Sequence, residues 1–171
     1  MSLLDEVLAV APEYYHRYIR LIGKKDPVVV MEEQSEALDE LLGGVAPNEY
    51  TTSYAEGKWS IKEVVGHIND VERIFGYRAM AFSRGEEKEL PGFEQDDYVA
   101  NAPFNDVAME ELLEEFYHLR QANLHMFKNL SQSQWNNMGK ASGVKIGVQA
   151  ICYIMAGHVM HHMNVLESKY L

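Results

Sequence analysis

The stretch Gly157-His158-Val159-Met160-His161-His162 lies inside Val144 to Tyr170, a run that reads as one long helix and sets the direction for both fold and chemistry. Residues four apart stack on one helix face, so His158 and His162 can aim two imidazoles at a common point, the spacing with which a helix grips a metal ion. At about 100° per residue, with His158 set to zero, Ile151, Ile154, Met155, Val165 and Leu166 fall between about −40° and +80°. His162 falls near +40°, inside that apolar stripe, and His161 near −60°, at its edge. The inward pair is therefore His158 and His162.

Working outward from this helix, the chain returns helices and no convincing strand. Val28 to Leu42 carries apolar residues at helical spacing, starts after Asp26-Pro27 and stops at Gly43-Gly44. A shorter helical stretch, about Pro12 to Ile22, precedes it. Trp59-Ser60-Ile61-Lys62-Glu63-Val64 reads as a helix start, with Ser60 as N-cap, Glu63 as its capping-box partner and Trp59 with Val64 as hydrophobic staple. That helix should run to about Ser83. Gly85 to Asn105, with Pro91-Gly92 and Pro103 among acidic residues, reads as a long loop of the kind that often carries function. A further helix spans about Val107 to Leu130, and Ser131 to Gly143 connects it to the last. Four main amphipathic helices imply an all-α fold, a four-helix bundle with a short extra N-terminal helix, in one domain over residues 1–171.

On the helix from Ser60 to Ser83, Val64, Val71 and Ile74 cluster within about 60° of His67, which turns a third histidine toward the core. A lone histidine on an apolar face is more often a hydrogen-bonded core residue than a ligand. Three are a different matter, because buried neutral imidazoles each need partners for a donor and an acceptor, whereas a metal satisfies one nitrogen of each. Two alternatives stay open on spacing alone, a histidine-containing core and a site that uses His161 instead. His118 and His125 fall opposite the apolar stripe of their helix (Met109, Leu112, Leu113, Phe116, Leu119, Asn123 and Phe127) and should be solvated; His16 has no evident partner.

Composition narrows the function. With 47% hydrophobic residues in 171, the chain can fill one core. A formal charge of −11, from 15 basic and 26 acidic residues, argues against nucleic acid as a partner. No run approaches the roughly 20 apolar residues of a membrane span, and the N-terminal residues lack a secretory signal, so the expected location is the cytoplasm. Cys152 is the only cysteine and lies roughly 120° from His158 around the helix, too far to be a ligand. Glu63 is explained by its cap. Asp70, one turn after His67, is the better candidate to hold a ligand histidine or a water. Arg120 and Asn123 are polar residues on an inner helix face, placed either to orient a substrate or to bond between helices.

Taken together, Tyr54-Ala55-Glu56-Gly57-Lys58-Trp59-Ser60-Ile61-Lys62-Glu63-Val64-Val65-Gly66-His67, then Asp70, Glu72 and Arg78, then Leu90-Pro91-Gly92-Phe93-Glu94-Gln95-Asp96, and last Gly157-His158 with His161-His162, closely resemble the DinB-like superfamily. Within it the chain resembles the YfiT-like branch of metal-dependent enzymes. The likeness runs from about Tyr14 to the end, through three separated motifs in order. It implies a four-helix bundle, commonly dimeric, whose three histidines bind a divalent metal, nickel or zinc. By motif position the ligands carry over to His67, His158 and His162. Some members of that family are transferases that conjugate bacillithiol, mycothiol or glutathione to electrophiles. The resemblance thus implies a metal-dependent thiol S-transferase taking a small-molecule substrate, with a metal-dependent hydrolase and a noncatalytic metal-binding bundle as alternatives.

Overall fold

The computed structural model describes residues 2–171. Its helices are α1 (Leu3–Val10), α2 (His16–Ile22), α3 (Pro27–Leu42), α4 (Ile61–Ser83), α5 (Gln95–Asn101), α6 (Met109–Lys128), α7 (Gln132–Trp135) and α8 (Val148–Lys169). A two-stranded antiparallel hairpin, β1 (Met138–Ala141) and β2 (Val144–Gly147), precedes α8. The predicted helix starts are where their caps put them. Asp26 accepts from the Val28 N–H with Pro27 in the first turn, and Ser60 and Glu63 cap each other reciprocally at the head of α4.

Helices α3, α4, α6 and α8 form the bundle. Each of α3 and α4 packs against both α6 and α8, so the sequence neighbours α3 and α4 sit diagonally across the core. Side-chain pairings give the directions. Cys152 meets Met31 and Gln34 meets Ala156, so α3 and α8 run parallel. Asn69 bonds Leu112 and Asn123 bonds Glu72, so α4 and α6 also run parallel. His67 meets His158 while Tyr170 bonds Trp59, which sets α4 against α8. Two parallel neighbours cannot be joined by a short turn, so the chain must return the length of α4 between Ser83 and Met109.

The core has two apolar clusters separated by a polar layer. One gathers Val30, Met31, Phe75, Phe82, Leu124, Phe127 and the first half of α8 beneath α1 and α2. The other holds Leu38, Leu42, Ile61, Ile68, Leu112, Phe116, Val159 and Leu166. Between them Arg120, fully buried, forks onto Glu72 with Nε–Oε1 and Nη2–Oε2 both at 2.9 Å. Arg120 also donates to Gln34 Oε1 at 2.6 Å, Gln34 donates to the Ala156 carbonyl at 2.7 Å, and Asn123 donates to Glu72 Oε1 at 2.9 Å. Residues of all four bundle helices meet in this one network. Of the two roles open to Arg120 and Asn123, bonding between helices is the one observed.

Several expectations need correction. Residues 85–105 are not structureless, because Gln95–Asn101 is helical and Leu90 pairs with β1 through Leu90 N–H to Lys140 O at 2.9 Å. The last helix begins at Val148 rather than Val144, and the segment before it is strand. The Ala141–Val144 pair is closed by Ser142 and Gly143 at φ of 52° and 81°, a two-residue loop that requires both residues left-handed and fits the twist of the hairpin. A helix over Leu3–Val10 precedes the expected N-terminal one, capped reciprocally by Ser2 and Asp5. His16 does have a partner: its Nε2 lies 3.0 Å from the Ala11 carbonyl.

Candidate metal centre

His67 comes from the second turn of α4, and His158 and His162 from successive turns of α8. The Nε2 atoms of His67 and His162 each lie 3.1 Å from His158 Nε2, and the three ligand atoms are all within 4.8 Å of one another. Local packing holds the rings. The Trp59 ring centroid is 4.7 Å from that of His67, and Tyr18 presents its edge to both His158 and His161 at 5.5 Å. Tyr18 reaches α8 because position 157 is glycine, where a Cβ would come within 2.1 Å of the Tyr18 carbonyl oxygen. Gly66, before His67, likewise leaves room for the ring of Phe104.

Hydrogen bonding among the histidines cannot account for this arrangement. An imidazole nitrogen carries either one proton or one lone pair, so His158 Nε2 can satisfy only one of its two close nitrogen neighbours. Three lone pairs turned on a cation satisfy all three. The distance fits as well, since two nitrogens 3.1 Å apart and each 2.0–2.1 Å from one ion would subtend roughly 95–102°, between octahedral and tetrahedral values. Burial leaves the rings in the form that ligation needs. It pushes His67 down to about 4 and, with mutual repulsion among the histidines added, holds His158 and His162 well below the usual histidine range. His161 is lowered too, by burial and then by Arg17, but it stays outside the cluster.

Two clefts reach the histidines. One, of about 350 Å³, is lined by Tyr15, Tyr18, Phe75, Arg78, Phe93 and His158. The other, of about 410 Å³, lies toward the start of α4 between Lys58, Trp59, Tyr170, His161 and His162. Gln95 and Asp96, at the start of α5, line both. The return connection forced by parallel α4 and α6 thus passes over the site. Larger concavities elsewhere, such as the one between α1 and Trp135, adjoin no such cluster.

Asp70 is half-buried, and burial raises its carboxyl, with Arg73 pulling the other way. Among the described residues it makes no hydrogen bond to the histidines. Cys152 is fully buried beside the Met31 sulfur, 3.8 Å away, and burial raises its thiol. His118 and His125 are exposed. Trp59 reads from sequence only as a helix staple and Asp96 only as part of a motif, neither as lining a site, and Tyr18 is not singled out at all.

The sequence model of the DinB superfamily matches residues 31–166, a span that includes His67, His158 and His162. The chain belongs to the DinB superfamily. Its fold is similar to that of YfiT from Bacillus subtilis, described as a probable metal-dependent hydrolase with an unusual four-helix bundle topology. That likeness has a TM-score of 0.70 at 16% identity and covers 90% of this chain and 84% of YfiT. No curated protein matches this DinB-superfamily chain significantly. Among its described residues no helix is long and apolar enough to cross a membrane.

Burial of neutral histidines sets an acid limit for the metal-free protein. Below about pH 6.5 the unfolded chain takes up protons that the folded site refuses, so stability is complete above that pH and falls as pH falls, down to about 4 for His67 and further for the other two. Each histidine contributes up to about 1.4 kcal/mol per pH unit in that window. Thermal melts of metal-free protein should show Tm dropping steeply between pH 6.5 and 5. A His67→Gln variant should show a shallower drop.

Proposed function

We propose that this protein is a divalent-metal-dependent thiol S-transferase, with His67, His158 and His162 holding nickel or zinc. The observation that carries this reading is the pair of clefts meeting at one cluster, one touching His158 and the other His162, which suits a reaction of two substrates. A divalent ion on three neutral imidazoles keeps its full charge and an exchangeable position, and so acidifies a bound thiol. The chain's own part is to hold three neutral donors, to exclude water with Trp59, Tyr18 and the α5 connection, and to orient both partners. Thiolate rather than thiol is the attacking species, and the aromatic walls of the His158 cleft suit an apolar electrophile.

Zinc- or nickel-loaded protein should accelerate conjugation of bacillithiol, mycothiol or glutathione to a haloarene or epoxide. Chelation or His67→Ala should remove the acceleration. No turnover with any thiol, alongside metal-dependent cleavage of esters or amides, would replace transfer by hydrolysis. Two observations favour that second reading: the fold shared with YfiT, and Asp96, a carboxylate lining both clefts.

We further propose that the protein is a twofold homodimer. Tyr77 and Met80, one turn apart on α4, are exposed apolar side chains that a second copy would cover. Light scattering at micromolar concentration should return about twice the 19.5 kDa chain mass. A value near one chain mass would count against the dimer.

A further inference from the structure

This molecule contains two buried arginines, and it treats them differently. Arg120 is fully buried and fully paired, with Glu72 forked onto it and Gln34 taking a third bond. Arg78, on α4, is only 3% exposed, yet among the described residues no carboxylate lies within ion-pair distance of it. One of its nitrogens, Nη2, donates to the Pro91 carbonyl at 3.0 Å and to Ser142 Oγ at 2.9 Å, both neutral acceptors. Among the described residues Nη1 and Nε reach no carbonyl or carboxylate. The guanidinium stands over the rings of Phe75 and Phe93, with centroids at 5.0 and 6.0 Å. Its other polar neighbour is the Tyr15 phenol, close enough to hydrogen-bond and itself uncharged, so it supplies no counter-charge.

A guanidinium that meets solvent only where it faces a cleft, with no counter-charge beside it, is poorly compensated, and aromatic faces make up only part of the deficit. Arg78 also lines the 350 Å³ cleft that ends at His158. We infer that Arg78 is the carboxylate anchor of that cleft, binding a small, partly aromatic or apolar monocarboxylate whose reactive end is presented to the histidine cluster. With both Nη2 hydrogens committed, a carboxylate would meet the donors left on Nη1 and Nε through single charge-assisted hydrogen bonds, each roughly twice as strong as a neutral one. The cleft's size suits a small molecule, and Tyr15, Tyr18, Phe75 and Phe93 supply walls for an apolar body. Glu94 and Asp96, exposed on the same cleft, work against a doubly charged phosphate and favour the single charge of a carboxylate. The role as substrate anchor rests on the proposed two-substrate reaction, whereas anion binding at Arg78 does not need the metal.

The test therefore uses the full chain in metal-free and zinc-loaded forms, titrated with benzoate, its neutral isostere benzamide, and phenyl phosphate. Calorimetry supplies affinity, and NMR shifts at Phe75 and Phe93 supply location. Benzoate should bind the metal-free protein about tenfold or more tightly than benzamide, and more tightly than phenyl phosphate. Arg78→Gln should reduce the preference for benzoate to about twofold or less, and Arg78→Lys should keep part of it. If Arg78→Gln fails to fold by circular dichroism, the wild-type comparison and Arg78→Lys still decide. Equal affinity for benzoate and benzamide, or a preference that survives Arg78→Gln, overturns the anchor; tighter phenyl phosphate overturns its assignment to a carboxylate. Normal zinc uptake without benzoate preference sinks the anchor and spares the metal site. Benzoate preference without zinc uptake does the reverse.

Discussion

His158→Ala should cost the protein its metal. The Nε2 of His158 is the one that lies 3.1 Å from both of the others, and the ring is only 6% exposed, so its removal takes away the central donor of the cluster. Loss of a residue that merely supports a ligand already costs 10–100-fold in metal affinity, and loss of the central ligand should cost on the order of 1,000-fold or more. Wild-type protein prepared without an affinity tag should carry about one nickel or zinc per chain, judged by elemental analysis before and after chelation. His158→Ala, once checked for folding by circular dichroism, should carry almost none and fail to take it up. His161→Ala should stay within a few-fold of wild type, because His161 packs against Tyr18 outside the three-nitrogen cluster. Should His161→Ala abolish uptake while His162→Ala does not, the ligand set would be misassigned.

Glu72→Ala should be the most destabilising single change in the core. It strips the carboxylate from a fully buried guanidinium and leaves Asn123 only its longer bond, 3.3 Å, to the backbone carbonyl of residue 72. Breaking a buried pair from one side costs about 3–5 kcal/mol, a large share of the roughly 5–15 kcal/mol that holds a domain folded. Urea unfolding should show that loss as a lower midpoint. The double variant Glu72→Leu with Arg120→Met should recover much of it, because no charge is then stranded. A Glu72→Ala cost below about 1 kcal/mol would mean that Arg120 reaches water in solution.

Why was the histidine cluster legible in the sequence and the polar layer only in part? Helical geometry is local, so 100° per residue sufficed to turn His67, His158 and His162 inward, and the Ser60–Glu63 box marked the start of α4 within four residues. Arg120 is legible only in part. Its place beside the apolar stripe on the inner face of α6, with Met109, Leu112, Phe116, Leu124 and Phe127, follows from helical spacing, whereas its carboxylate partner lies 48 positions away and leaves no local mark. The stripe then drifted onto Leu113 and Leu119, which are only half-buried. The hairpin went unseen because each strand is four residues long. Its two signals, the Ser142-Gly143 turn and the alternation Val144-Lys145-Ile146, stood beside a strong helix. Helix α5 has seven residues and no side-chain cap, and it owes its form to the bundle beneath it.

The parallel pairing of α4 and α6 obliges some twenty-five residues to travel back along the bundle, and these residues roof the histidines without supplying any of them. Closing a flexible connection grows costlier only with the logarithm of its length, about 0.6 kcal/mol for each doubling. The roof can therefore lengthen, shorten or change its side chains at small thermodynamic expense while α4 and α8 keep the three nitrogens in register. The frame that gathers the three nitrogens and the strap that walls the clefts beside them thus belong to different parts of the chain, so the one can be redrafted without disturbing the other.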